Sequence, residues 1–99
     1  MSTLHVLTHS PFSDTRLNSC LRLLGPADAV LLCSDAVYAL QPQSQPLKTL
    51  EEHPSPLRLF VLEEDLQARN LPCPPWATCV DYPAFVELSI TYDKVNSWL

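Results

Sequence analysis

The amino-acid sequence predicts a small three-layer α/β/α fold built on a mostly parallel sheet of four to five strands. Three observations predict it. Short apolar runs alternate along the chain with helix-patterned segments, which is the order of a parallel sheet sandwiched by helices. The runs lack polar alternation, as strands covered on both faces do. The chain has 99 residues, room for one domain spanning 1–99 with a single modest core. At this size folding buries roughly 60–68% of the extended-chain surface.

The elements follow in order. Thr3–Thr8 reads as a short, mostly apolar strand. Ser10-Pro11 then opens a helix, with proline in the first turn and Ser10 or Ser13 as its cap. Leu17, Cys20, Leu21 and Leu24 recur at helical spacing, and Gly25-Pro26 ends the segment. Asp28–Cys33, apolar without a break from Ala29 on, is suited to a central strand. Asp35–Leu40 forms a short helix, capped by Ser34 or Asp35. From Gln41 to Pro56 the composition turns to Pro, Gln, Ser and charge, which predicts an exposed loop holding one helical turn around Leu47–Glu51. Leu57–Leu62 is a third strand. Glu63-Glu64-Asp65 starts a helix with acids at the positive end of its dipole and Arg69 in its last turn. Three prolines within Pro72–Pro75 exclude a regular element there. Thr78–Asp81 is a fourth strand. Asp81-Tyr82-Pro83 looks like a cap and a first-turn proline, opening a helix from Pro83 to Tyr92; period-two alternation over Leu88–Tyr92 offers a competing strand.

Composition excludes several function classes. Six basic residues stand against eleven acidic ones, a net charge of −5. Arg16, Arg22, Lys48, Arg58, Arg69 and Lys94 are scattered singly, so direct nucleic-acid binding is not expected. With Gly25 as its one glycine, the chain cannot form a dinucleotide-binding glycine turn, a phosphate loop or a nucleophile elbow. No apolar run is long enough to span a membrane. The N-terminal residues lack a basic and apolar leader, so a cytoplasmic protein with reduced thiols is expected.

The candidate chemical residues are few. His5 and His9 are about 13 Å apart along a strand, too far to share one tetrahedral ion, and His53 has no partner at ligand spacing; no metal and no cofactor are expected. Cys73 and Cys79 match neither redox nor zinc-knuckle spacing and read as incidental thiols. Cys33 closes an apolar strand. Cys20 is open to two readings: it shares a helical face with Leu17, Leu21 and Leu24, as a core thiol would, yet a sulfur carrier must be an exposed, activated thiolate, which Arg16 one turn earlier would favour. Glu63, Glu64 and Asp65 point in different directions from consecutive helical positions and read as a solvated helix start. Trp98, Trp76, Tyr82, Phe85 and Tyr92 crowd the last quarter of the chain and are candidates for an interface with another subunit.

The assembled pattern resembles the TusB/DsrH family of small sulfur-relay subunits. The resemblance runs nearly end to end: Leu4-His5 with Ser10-Pro11-Phe12, Cys20-Leu21, Val30-Leu31-Leu32 leading to Asp35-Ala36-Val37-Tyr38-Ala39, Val61 through Arg69, and Asp81-Tyr82-Pro83-Ala84-Phe85-Val86 with Trp98-Leu99. Its most specific pieces are Asp65-Leu66-x-Ala68-Arg69 and Asp81-Tyr82-x-x-Phe85-Val86. It implies a DsrE-like fold and an accessory role beside paralogous TusC-like and TusD-like (or DsrF-like and DsrE-like) subunits in a dimer of heterotrimers; the aromatic surface would also allow a homo-oligomer of the isolated chain. In the tRNA-modifying branch such complexes pass persulfide sulfur towards the 2-thio group of the wobble uridine, and the essential cysteine belongs to a partner. In the sulfur-oxidising branch a cysteine of the first helix is a family feature, and Cys20 stands at that place as a candidate persulfide carrier. A protein-interaction module without chemistry is the remaining alternative. Two positions depart from the family, which commonly has glycine where this chain has Asn70 and Ala36. Asn70 tolerates a left-handed helix cap, and Ala36 favours a helical turn after Asp35.

Overall fold

A computed structural model describes residues 2–53 and 57–98. It holds a five-stranded sheet in which every neighbouring pair is parallel, in the order β4-β3-β2-β1-β5. The strands are β1 (Thr3–Leu7), β2 (Ala29–Leu32), β3 (Leu59–Leu62), β4 (Thr78–Val80) and β5 (Lys94–Trp98). The helices are α1 (Arg16–Leu23), α2 (Gln45–Glu51), α3 (Glu63–Ala68) and α4 (Tyr82–Thr91), with a 3-10 helix at Ser34–Leu40. The expected α/β/α architecture is therefore what the chain adopts.

Strand burial follows position in the sheet. All four residues of central β2 are fully buried. Edge strands need only one covered side, so β4 exposes Thr78 and Cys79, and β5 exposes Lys94, Val95, Asn96 and Ser97. This is why Lys94–Trp98 escaped a confident strand reading: at an edge, polar residues are tolerated and the apolar run disappears.

The two faces of the sheet are covered unequally. Leu7, Val30, Leu32, Leu59 and Val61 pack with Leu17 and Cys20 of α1, Ala36, Val37, Ala39 and Leu40 of the 3-10 helix, Leu50 of α2 and Leu66 of α3. On the opposite face Leu4, Val6, Ala29, Leu31 and Val80 pack with Tyr92, with Cys33 and Phe60, and with the inner side of α4 through Ala84, Phe85 and Leu88. Four helical segments cover one face and one helix the other.

Three local expectations need correction. The first helix starts at Arg16 rather than at Pro11, because Ser10 caps a turn instead: its Oγ accepts from the Phe12 N–H at 3.2 Å and its carbonyl from Ser13 at 3.1 Å. The 3-10 helix has Cys33 at its cap position, so neither Ser34 nor Asp35 caps it, and the Cys33 side chain makes no cap bond. Gln41–Glu52 is not a wholly exposed loop: Ser44 caps a two-turn helix that seats Leu50 in the core, with Pro46 in its first turn. Pro54–Pro56 of that stretch, and Leu99, lie outside the described residues. The helix at α4 prevails over the competing strand, and Asp81 caps it by accepting from the Ala84 N–H at 2.9 Å. Asn70 adopts φ 54°, the left-handed geometry that the substitution for glycine requires. Among the described residues no helix is long and apolar enough to cross a membrane.

Candidate functional site

The residue pairs Asp65/Arg69 and Asp35/Tyr38 meet at the carboxyl ends of β2 and β3. The Arg69 guanidinium donates to Asp35 Oδ1 at 2.8 Å and to the Asp65 carbonyl at 3.2 Å, and lies 5.5 Å from the centre of the Tyr38 ring. Asp65 Oδ2 in turn accepts from the Ser34 N–H at 2.6 Å, where the backbone turns with φ 52°. This cluster stitches the 3-10 helix to α3, and so gives the most specific motif of the chain an architectural job.

A second cluster lies below α1. The Trp98 indole N–H donates to His5 Nδ1 at 3.1 Å, and His5 Nε2 stands 3.3 Å from Asp28 Oδ2. An indole can only donate, so Nδ1 must accept and Nε2 carries the proton that is given to Asp28. Asp28 also accepts from the N–H groups of Thr3 and Gly25, each at 2.9 Å. Burial alone would raise the Asp28 carboxyl, but the Gly25 and Thr3 donors and His5 outweigh it and hold the group below its ordinary range. His5 is 6% exposed, and both its ring nitrogens are engaged within the fold. Substituting Trp98 by Phe keeps a ring but removes the donor to His5. A loss of about 1 kcal/mol is expected, read as a lower denaturant midpoint at unchanged slope.

Cys20 packs in the first core, near enough to Asp28 to feel its charge. It is 0% exposed, and burial first, then the Asp28 carboxylate, push its thiol up to about 12. A thiol so placed holds its proton near neutral pH, and the thiolate is the nucleophilic form. Arg16, expected to favour ionisation, is drawn to Asp14 instead. Cys33 is half-buried, donates to the Leu7 carbonyl at 3.6 Å and is pushed up to about 11 by burial and by Asp65. Cys73 and Cys79 are exposed. Glu63 and Glu64 are exposed at the start of α3, and Asp65 is engaged as described.

The five aromatic interface candidates do not share one environment. Tyr82 is 54% exposed and Trp76 38%, whereas Phe85 is half-buried under α4, Trp98 is half-buried against the first core, and Tyr92 is buried in the second. What the aromatic count missed is aliphatic. Val86 and Ile90 are 55% and 77% exposed, and with Tyr82 they stand at i, i+4 and i+8, one stripe along the outer side of α4. The inner side carries Phe85 and Leu88, so α4 is apolar on both sides, and no residue of α4 is fully buried. A surface helix ordinarily has one polar side. The signal was present in the sequence as the low charge of Pro83–Thr91, where Glu87 is the one ionised residue.

Comparison with known proteins bears on the same chain-long pattern. The family model for DsrH like protein matches residues 9–95. The chain belongs to the TusB/DsrH family. "Protein TusB" of Erwinia tasmaniensis is 41% identical over 97 residues, covering 96% of this chain and 99% of that one. "Protein TusB" of Yersinia pestis (strain Pestoides F) is 36% identical over the same span and coverage. The crystal structure of the ychN protein from E. coli superposes with a TM-score of 0.73 at 18% identity, covering 99% of this chain and all of that one, a likeness of fold. Within this TusB/DsrH chain, the Asp65–Arg69 motif and the Asp81 cap are both structural fixtures, one tying helices together and the other starting α4.

Proposed function

We propose that this chain is an accessory, non-catalytic subunit of a cytoplasmic sulfur-relay complex, acting in 2-thiolation of the tRNA wobble uridine beside two paralogous subunits. The observation that carries the reading is the exposed stripe Tyr82, Val86 and Ile90, on a helix whose opposite, inner side is also apolar, in a chain of the TusB/DsrH family. Such a helix gains by burying its outer side against another subunit. The net charge of −5 supports leaving tRNA contact to the partners. The burial of Cys20 and its suppressed ionisation support an accessory role over the sulfur-oxidising alternative, in which Cys20 itself carries sulfur. The isolated chain is expected to self-associate through the same stripe.

Co-expression with both paralogous subunits tests the association: one complex is expected by light scattering at micromolar concentration. A chain that stays monomeric with both partners present would refute it. The chemical half is tested by Cys20→Ser. A hydroxyl among apolar neighbours is expected to cost roughly 1–2 kcal/mol of stability while wobble-uridine thiolation survives in the reconstituted complex. Loss of thiolation with a normally folded variant, together with labelled sulfur on the wild-type Cys20 peptide, would restore the carrier reading.

A further inference from the structure

The tail of the chain holds two more thiols that the relay reading does not use, and the fold brings them together. Residues 74–77 form a tight turn, closed by the Ala77 N–H donating to the Pro74 carbonyl at 3.1 Å. Cys73 enters this turn and Cys79 leaves it on β4. The Cys73 thiol lies over the turn, 3.6 Å from the Pro74 carbonyl and 3.8 Å from that of Ala77. Cys79 follows Ala77 by two residues, and its thiol is near enough to that of Cys73 for the two to interact electrostatically. Both residues are exposed, and β4 is an edge strand, so no further strand of the sheet covers them. Pro74 and Pro75 restrict the chain between the two sulfurs before any bond forms, which lowers the entropy cost of closing this small ring.

We propose that Cys73 and Cys79 are a redox-active dithiol pair, a modification site that closes to an internal disulfide on meeting a small-molecule disulfide such as oxidised glutathione. In the first step the Cys73 thiolate attacks one glutathione sulfur, a mixed disulfide forms, and one glutathione leaves as thiolate and takes up a proton. In the second step Cys79 gives up its proton and attacks the Cys73 sulfur, the mixed disulfide breaks, and the second glutathione thiolate leaves and is protonated. Two protein thiols are oxidised and one glutathione disulfide is reduced to two thiols. The order of attack follows from surroundings: burial, then Cys73 and the Glu63 and Glu64 carboxylates push the Cys79 thiol up to about 11, so it keeps its proton until a mixed disulfide stands beside it. Cys20 and Cys33 are buried and half-buried respectively, and serve as internal controls. The pair is independent of the α4 stripe, so the fate of this proposal and that of the relay reading are separable.

The test uses the intact chain, equilibrated over a series of reduced-to-oxidised glutathione ratios, alkylated, digested with trypsin and weighed. Cleavage after Arg69 and Lys94 leaves both cysteines, and neither of the others, in the peptide 70–94. The expected product is that peptide lighter by two hydrogens, without alkyl group or glutathione, while Cys20 and Cys33 are alkylated on unfolding. In Cys79→Ser, which alters an exposed edge position, the glutathione adduct on Cys73 should persist roughly tenfold above its wild-type level. A wild-type peptide that carries one or two glutathione adducts, that links two chains, or that stays alkylated on both cysteines at every ratio would overturn the proposal. So would an equal adduct level in wild type and Cys79→Ser.

Discussion

Asp28→Ala is expected to melt roughly 15 °C below the wild type, because it removes about 3 kcal/mol from a domain of this size. The carboxylate is a clasp between three elements. It holds the start of β1 through Thr3, the end of the α1 connection through Gly25, and the His5–Trp98 pair that ties in β5. Alanine leaves two backbone N–H groups and an imidazole N–H without acceptors in a part-buried place, and an orphaned donor costs more than its bond contributed. Asp28→Asn retains one acceptor oxygen and should recover about half of the loss. The pH dependence has a definite sign. The folded Asp28 carboxyl sits below its ordinary value, so its contribution is complete above the unfolded value near 4 and is lost as pH falls through the folded one. The melting difference between wild type and Asp28→Ala should therefore be constant at neutral pH and shrink in acid. A loss under about 1 kcal/mol at neutral pH would mean that water replaces the carboxylate, and the clasp would be refuted.

The double substitution Val86→Glu with Ile90→Glu should separate assembly from folding. Both side chains project from the outer side of α4, so the melting temperature should move by no more than about 2 °C. Buried in a subunit interface, two unpaired carboxylates would weaken association by about 100-fold or more. Co-purification with the paralogous subunits and a binding titration read the effect. Tyr82→Ala, at the first turn of the same stripe, should weaken binding by a smaller factor. A double variant that binds both partners as the wild type does would move the interface elsewhere on the molecule.

Most of the fold could be read from residues because central parallel strands leave a strong trace. Ala29–Leu32 is apolar throughout since both faces of β2 are covered, and the Asp81-x-Pro83 cap marks the start of α4 without help from tertiary contacts. β5 was hidden because an edge strand needs no apolar run, and α2 showed only as one turn around Leu47–Glu51 because its one fully buried residue, Leu50, sits amid prolines and charges. The proposed docking stripe was half legible. The aromatic residues mark the same quarter of the chain, but whether Tyr92 or Ile90 faces outward depends on where α4 ends: Tyr92 is the residue at which the helix stops, and it joins the core of Leu4 and Leu31. The Cys73–Cys79 pairing could not be read from spacing at all, since it depends on the turn between them.

The pairing of β5 with β1 joins Thr3 to Lys94 and Leu7 to Trp98, so the two strands that touch are nearly the whole chain apart. Closing a loop of that length costs roughly 4 kcal/mol of chain entropy beyond a constant, against less for β1 with β2. Such contacts are expected to form late, after strands β1 to β4 have already gathered their own core. Until then β1 presents a raw edge of unpaired N–H and C=O groups, flanked by the apolar Leu4 and Val6, which is a template for pairing with another chain. The refolding reaction therefore has a narrow window of danger, and its yield should fall with protein concentration while the rate of the final docking step does not. In the folded state the same economy persists as unequal breathing: amide hydrogens of Val95–Trp98 should exchange ahead of those of Val30–Leu32, so that the sheet opens from its β5 margin inward.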